Sequence, residues 1–307
     1  MDGARQAKER MTPPSVGQVD VIDDGIRRIL APNPGPMTLY GTNTWLLGES
    51  EVAVIDPGPD DKAHLAAILA ATKGQKISHI LVTHAHADHS PLARRLSLIS
   101  GAPVYGYGAP EDGRSPMMAR LATEAGIGGG EGVDGAFRPD IQVREGDTLR
   151  AEGWSVDVLH TPGHFAGHLS FQLGTTLFSG DHVMGWATTL VSPPDGDLGA
   201  FLRTSKRLAA LGLERCLPGH GDIVAGPEER LTSLISHRQE RERQILEALG
   251  EGIDSVDRMT ARIYHDVPSH MHPAAARNIL AHLIDLDERN VIEAQPGLAI
   301  DSRFKPL

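Results

Sequence analysis

The chain has 307 residues, of which 40% are hydrophobic and 22% are charged. These are the values of a globular protein that buries a sizeable core, and they exclude intrinsic disorder, collagen and coiled-coil rods. The formal net charge of -11 repels polyanions on average, so binding to nucleic acid would need a local basic patch.

Residues 1–18 are polar and are predicted to form a flexible leader. They lack the apolar run of a signal peptide, and nowhere does the chain contain the roughly 18 apolar residues that span a bilayer. The single cysteine, Cys216, excludes an intramolecular disulfide and is typical of a reducing compartment. We therefore expect a cytoplasmic protein that does not contact membranes.

Residues 19–226 are predicted to form one domain of the α/β class. Short β-type runs alternate with Gly, Pro and Asp, and helical patterns interrupt them. Because such strands bury their apolar faces in pairs of layers, the pattern predicts two packed sheets with helices outside. Strands are predicted at residues 43–47, 52–55, 77–83, 104–107, 154–159, 169–173 and 176–179, and helices at 61–72, 91–100 and 198–211.

The stretch 106–140 differs in character from the rest of this domain. It contains a glycine-rich run at residues 126–135 and a short predicted helix at 116–125. An insertion of this kind in a compact domain is either a lid over a site or slack at the surface. Both interpretations remain open at this point.

The composition of the chain changes at residue 227, and residues 227–307 are predicted to form a second domain. Three helices are predicted at 228–249, 255–264 and 273–289, followed by a hairpin at 291–304. Three helices and a hairpin resemble a winged-helix module. The alternative is a helical cap packed on the first domain, and fold analogy does not separate the two.

The predicted strand 77–83 runs directly into His84-Ala-His86-Ala-Asp88-His89. Three imidazoles and a carboxylate in one turn are an expensive polar cluster unless they bind something. These side chains are the natural ligands of zinc and similar divalent ions. Three later groups also follow strands, and they are His160 with His164 (HTPGH), Asp181 (SGD) and His220 (PGHG).

In this order and spacing the motifs resemble the metallo-beta-lactamase superfamily over residues 19–226. The resemblance implies a four-layer αββα sandwich with two metal ions. It also implies that Asp56 is a buried carboxylate that orients the histidine loop. The implied ligands are His84, His86 and His164 for the first ion, Asp88, His89 and His220 for the second, and Asp181 as the bridge.

A closer resemblance is to the beta-lactamase-like protein 2 family, whose C-terminal helices form a winged-helix-like domain. With that domain the resemblance covers nearly the whole chain. One departure is Ser90-Pro91-Leu92, where many superfamily members have two glycines. The matching segments are 40–45 (YGTNTW), 88–91 (DHSP), 181–186 (DHVMGW) with Thr188 and Thr189, 193–197 (PPDGD) and 236–238 (SHR).

Other residues are expected to support the site. His160 and His168 flank His164, and we expect them to donate or accept hydrogen bonds behind the metal ligands. Residues 181–197 begin at the bridging ligand and are expected to line one wall. In that wall Trp186 would offer an apolar surface, and Thr189 or Thr188 a hydrogen bond to substrate.

Two divalent ions that share Asp181 would also share a water, and their charge would convert it to hydroxide near neutral pH. Asp88 would both ligate the second ion and receive the proton, which makes it the predicted catalytic residue. We expect zinc, with iron or manganese as alternatives. The sequence therefore predicts a metal-dependent hydrolase.

Two classes of substrate remain open. The expected substrate is a small ester, thioester or lactone, and the alternative is single-stranded RNA. Residues 227–307 hold ten Lys and Arg against fourteen Asp and Glu, a net charge of -4 that disfavours RNA. A non-enzyme alternative is a metal-stabilised scaffold that binds a partner or DNA. The oligomeric state stays open, and a homodimer is one candidate.

Overall fold

The computed structural model describes residues 13–124 and 127–307. Residues 1–12 of the predicted leader therefore lie outside the described residues, as do Ala125 and Gly126 of the glycine-rich insertion. The end of the leader is ordered by pairing, because Gly17 N donates to Leu30 O at 2.9 Å. This pairing lies within the predicted leader, whose bounds at residues 1–18 stay a prediction.

The strands and helices fall close to the predicted places. The strands are β1 (Val19–Asp23), β2 (Ile26–Leu30), β3 (Asn43–Leu47), β4 (Glu51–Ile55), β5 (Lys76–Leu81), β6 (Val104–Gly106), β7 (Ile141–Gln142), β8 (Thr148–Ala151), β9 (Trp154–His160), β10 (Leu169–Leu173), β11 (Thr176–Gly180), β12 (Arg215–Pro218), β13 (Ile292–Gln295) and β14 (Arg303–Pro306). The helices are α1 (Lys62–Ala71), α2 (Pro91–Ser100), α3 (Pro116–Thr123), α4 (Leu198–Ala209), α5 (Pro227–Gly250), α6 (Val256–Ile263) and α7 (His272–Glu288). Among the described residues, no helix is both long and apolar enough to cross a membrane.

Two sheets form the centre of the first domain. One runs in the order β1-β2-β3-β4-β5-β6-β7 and the other in the order β12-β11-β10-β9-β8. In the first sheet β4 and β5 are parallel, and in the second β11 and β12 are parallel. Because β9 and β11 are both antiparallel to β10, the strands β9, β11 and β12 point the same way. Their carboxyl ends therefore meet at one edge of the second sheet.

Apolar side chains between and outside the sheets create four layers. Trp45 and Ile55 of the first sheet meet Phe171 and Phe178 of the second in one buried cluster. On the outer face of the first sheet, α1 and α2 cover a second cluster. Helix α4 and the start of α5 cover the outer face of the second sheet. The predicted helix–sheet–sheet–helix order is confirmed.

The C-terminal helices and the β13–β14 hairpin surround a core of their own. Met259, Ile279, Leu283 and Phe304 are fully buried there. Helix α3 and Ile127 of the insertion also pack into this core. Helix α5 contributes to both domains, since its first half packs on α4 and its second half packs here. The boundary at residue 227 therefore stays a prediction.

His282 is a buried polar side chain inside this C-terminal core. It is 1% exposed, and neither ring nitrogen has a hydrogen-bond partner among the described residues. Burial, with the nearby charges of Arg238 and Arg241, holds its pKa well below the ordinary value. The folded protein therefore keeps His282 neutral, whereas the unfolded chain binds a proton there below about pH 6.5.

We predict that His282→Leu stabilises the protein. Removal of an unpaired buried polar group should raise the free energy of unfolding by about 1–2 kcal/mol at pH 7.5. The gain should grow as the pH falls below about 6.5, because the wild type alone loses stability through this residue. Urea unfolding at pH 7.5 and 5.5 measures both effects, with His265→Leu at an exposed position as the control. Equal or lower stability of the variant at both pH values would contradict the prediction.

Candidate metal centre

The histidine loop after β5 is anchored by the carboxylate of Asp56, which follows β4. Asp56 Oδ1 accepts a hydrogen bond from Thr83 N at 2.8 Å. Its Oδ2 accepts from Thr83 Oγ1 at 2.8 Å and from His89 Nδ1 at 3.0 Å. Asp56 is 1% exposed, so the loop depends on it without competition from water. This is the position that the sequence resemblance implied.

The hydrogen bonds around four histidines fix which ring nitrogen carries a proton. The Thr83 hydroxyl proton goes to Asp56, so Thr83 Oγ1 must accept from His84 Nδ1, at 2.9 Å. His89 Nδ1 donates to Asp56, His164 Nδ1 to Leu190 O at 2.7 Å, and His220 Nδ1 to Gly41 O at 3.1 Å. In each neutral ring the other nitrogen, Nε2, then bears a lone pair.

These nitrogens lie close to other ring nitrogens in two groups. His86 Nδ1 lies 2.9 Å from His84 Nε2 and 3.0 Å from His164 Nε2. In the second group, His89 Nε2 lies 3.2 Å from His220 Nε2. Lone pairs at such distances repel unless a cation or a proton lies between them. Nitrogen and carboxylate donors in this arrangement fit a divalent ion, and the same residues form clusters able to hold a metal.

Asp181 lies between the two groups and contacts both. Its Oδ2 is 3.7 Å from His164 Nε2 and 3.3 Å from His220 Nε2, and its Oδ1 is 3.5 Å from His89 Nε2. The carboxylate is buried, and Oδ1 has no hydrogen-bond donor among the described residues. Although burial opposes it, Asp181 and Asp88 raise the pKa of His220 to about 9. The centre therefore favours positive charge.

The loop that carries His220 is positioned by Asn43 of β3. Asn43 Nδ2 donates to Pro218 O at 3.0 Å and to Gly221 O at 2.9 Å, and Asn43 N donates to Gly219 O at 2.7 Å. Asn43 is fully buried, so these bonds fix the loop of the second sheet against the first. The sequence signal was its place in the YGTNTW segment, but the sequence alone did not reveal this role.

A cavity of about 400 Å³ opens over the two groups of side chains. Asp88 reaches its wall, with Oδ2 at 3.1 Å from His220 Nε2. Glu131 and Gly132 of the insertion also line it, and Ala87 N donates to Gly132 O at 2.7 Å. These residues of the insertion therefore form part of the cavity wall.

Two predicted roles need correction. His160 lies away from the ligands: its Nε2 bonds to Ala166 O at 2.9 Å, and its ring stacks on Tyr107. His168 has the role expected of both residues, because its Nε2 accepts from Asp181 N at 3.2 Å. Thr189 is fully buried, and its hydroxyl donates to Asp181 O at 2.8 Å. Thr189 therefore supports the backbone of Asp181, and its burial closes it to substrate.

Trp186 and Arg277 have positions that the sequence did not indicate. Trp186 borders an adjoining groove instead of the metal cavity itself. Arg277 of α7 lines the metal cavity, and its Nε donates to Ser192 Oγ at 2.8 Å. No local pattern could have revealed Arg277, since its partners are remote in sequence.

Comparisons with known proteins agree with this geometry. Residues 37–220 match the metallo-beta-lactamase superfamily. The chain belongs to the metallo-beta-lactamase superfamily. Residues 255–297 match the beta-lactamase associated winged helix domain, which confirms the predicted C-terminal module. Members of this superfamily are hydrolytic enzymes, so the prediction of an enzyme is confirmed and the scaffold alternative is set aside.

Three similar proteins span most of the chain. The beta-lactamase-like protein 2 homolog of Drosophila melanogaster is 32% identical and covers 87% of this chain and 89% of its own length. The atrochrysone carboxyl ACP thioesterase of Aspergillus fumigatus is 32% identical, and the match covers 77% of this chain and 68% of the thioesterase. A crystal structure of a metallo-beta-lactamase family protein from Thermus thermophilus has a TM-score of 0.74 at 25% identity, covering 93% and 99%. The predicted resemblance to the beta-lactamase-like protein 2 family is confirmed.

We predict that Gly219→Ala damages the metal centre selectively. An added Cβ would lie 2.4 Å from Asp181 Oδ1 and 2.6 Å from His89 Cε1, so one of these ligands must move. Metal affinity should fall by about 10–100-fold, as for loss of a group that orients a ligand. Competition with a chromogenic chelator measures this, and Gly135→Ala is the control because nothing lies within 4 Å of its added Cβ. Unchanged affinity in Gly219→Ala would contradict the assigned packing.

Proposed function

We propose that this superfamily member hydrolyses small acyl substrates, namely esters, thioesters or lactones, with two divalent metal ions. His84, His86 and His164 would hold one ion, Asp88, His89 and His220 the other, and Asp181 both. The observation that supports this proposal is the set of imidazole nitrogens that lie within 3.2 Å of one another in two groups. Between them lies Asp181, whose Oδ1 has no hydrogen-bond donor among the described residues. Zinc is the first candidate, with iron or manganese as alternatives.

When bound, such ions supply a water of lowered pKa and a positive charge that polarises the acyl oxygen. The protein's own residues supply position and proton transfer. Asp88 lies at the cavity wall with its side chain 28% exposed, so it can accept a proton from water beside the centre. Asp56 is buried beneath the histidine loop and accepts a hydrogen bond from His89, so it would keep the His89 ring oriented during proton transfer at the centre.

Charge favours an acyl substrate over RNA. Among the described residues, the cavity wall includes the carboxylates of Asp88, Glu131 and Asp181 and one arginine, Arg277, and the C-terminal residues 227–307 have a net charge of -4. A path for single-stranded RNA would need a groove lined by cations and aromatic rings. The thioesterase name of the Aspergillus relative supports an acyl bond as the site of attack.

We predict about two divalent ions per chain. His220→Ala should lose mainly the second, because that ion would depend on a ligand from the loop after β12, whereas the first group of ligands is untouched. Elemental analysis of protein purified without chelator measures the stoichiometry, and His265→Ala, at an exposed position, is the control. No metal in the wild type, and none taken up on addition, would contradict the proposed centre.

We predict that Asp88→Asn retains the fold and lowers turnover by about 10²–10⁴-fold, because proton acceptance is lost. Thermal unfolding checks the fold. Initial rates on matched esters, thioesters, lactones and single-stranded RNA check the chemistry. Asp60→Asn is the control, since Asp60 is exposed and pairs with Arg95. Robust metal-dependent RNA cleavage that falls with Asp88→Asn, with every acyl substrate inert, would replace the acyl proposal by the RNA alternative.

A further inference from the structure

A second cavity of about 230 Å³ adjoins the metal cavity. It lies between the segment that follows Asp181 and the start of α7. The two cavities share the side chains of Met37, Met184, Leu190 and Ala274 as walls. All four are apolar, so the surface where the two cavities adjoin is apolar.

The groove itself is lined mainly by apolar and aromatic side chains. Trp186 and Tyr264 supply rings, and Met271 adds a third flexible thioether to those of Met37 and Met184. Methionine adapts its shape to a bound apolar group. Trp186 is 36% exposed despite its size, so an apolar face of its indole is available to a ligand. On α7, Ala275 leaves the groove open because its side chain is a single methyl group.

The polar side chains of the groove carry no net charge. His237 is neutral near pH 7, because burial and the adjacent Arg238 lower its pKa to about 4. Asn278 directs its oxygen away to Arg238 Nη1 at 3.1 Å and to Val191 N at 3.3 Å. No carboxylate, lysine or arginine lines the groove among the described residues. A charged substrate group would be desolvated there without a partner.

We propose that this groove binds the hydrocarbon chain of the acyl group, so that the bond to be cleaved lies over the metal centre. This inference rests on the proposed function and gives it a substrate class, namely esters or thioesters of medium-length aliphatic or aryl-alkyl acids. Because the groove shares four lining residues with the metal cavity, a chain bound there would hold its carbonyl end toward that cavity, and the apolar, uncharged lining would select the chain.

A chain-length series tests this proposal on the metal-loaded protein. Straight-chain thioesters from acetyl to decanoyl are compared with one common thiol leaving group. Each buried methylene should raise kcat/KM by roughly fourfold until the groove is full, after which the gain should stop. Titration with octanoate or acetate, followed by tryptophan fluorescence, gives a readout that does not depend on turnover. Octanoate should give a saturable change through Trp186, and acetate should give none at the same concentrations.

Two substitutions reduce the volume of the groove, and one control variant is matched to them. Ala275→Leu fills it from α7, and Thr188→Phe fills it from an exposed position where folding is not at risk. Each should lower the octanoyl-to-acetyl ratio of kcat/KM by about tenfold or more and abolish the fluorescence response to octanoate. Ala261→Leu places the same leucine on the exposed face of α6 and should keep the wild-type ratio.

The outcomes separate the groove from the proposed function. If acyl substrates are hydrolysed at rates that do not depend on chain length, and octanoate gives no fluorescence response, the proposal for the groove is wrong and the acyl function stands. Inert acyl substrates of every length, with RNA cleaved, overturn the acyl function and the groove with it. A ratio that falls equally in Ala275→Leu, Thr188→Phe and Ala261→Leu also overturns the groove.

Discussion

The site depends first on the buried carboxylate of Asp56. It accepts three hydrogen bonds, two from Thr83 and one from His89, at the point where the parallel strands β4 and β5 end. Hydrogen bonds to a charged group are worth about 1.5–3 kcal/mol each, and more is lost when one partner is removed from a buried site. Asp56 itself adopts a positive φ of 49°, a conformation that costs energy and persists because these bonds require it. The orientation of His84 and His89 follows from this arrangement.

The direction of the strands explains why distant residues meet above this anchor. β9, β11 and β12 run the same way, so His164, Asp181 and His220 leave the second sheet at one edge. Asn43 then joins that edge to the first sheet through its bonds to the loop after β12. Close approach is possible because Gly219 has no side chain to separate Asp181 from His89. The arrangement of the strands thus fixes the separation of the proposed ligands.

Features encoded locally could be predicted from the sequence. Helical periodicity predicted α2 at residues 91–100 and α4 within two residues of its end, because apolar spacing and caps are local signals. The HAHADH loop, directly after a strand, was recognisable for the same reason. His160 and His168 could not be told apart, since both flank His164 and only the third dimension shows that His168 bonds to Asp181 N. Thr189 likewise lies within the predicted wall, yet its hydroxyl turns inward to Asp181 O.

The elements that the sequence left open are those that enclose the cavity. Ile127, Glu131 and Ser192 are joined to α7 through Arg277, whose Nη1 bonds to Ile127 O and whose Nε bonds to Ser192 Oγ. These contacts link segments that are 85 and 150 residues apart, so no local pattern could signal them. The proposed ligands come from strand ends of the sandwich, whereas much of the cavity wall comes from the insertion and from α7. Substitutions in these added elements can therefore alter which substrate fits, while the strand ends that hold the ligands keep their geometry.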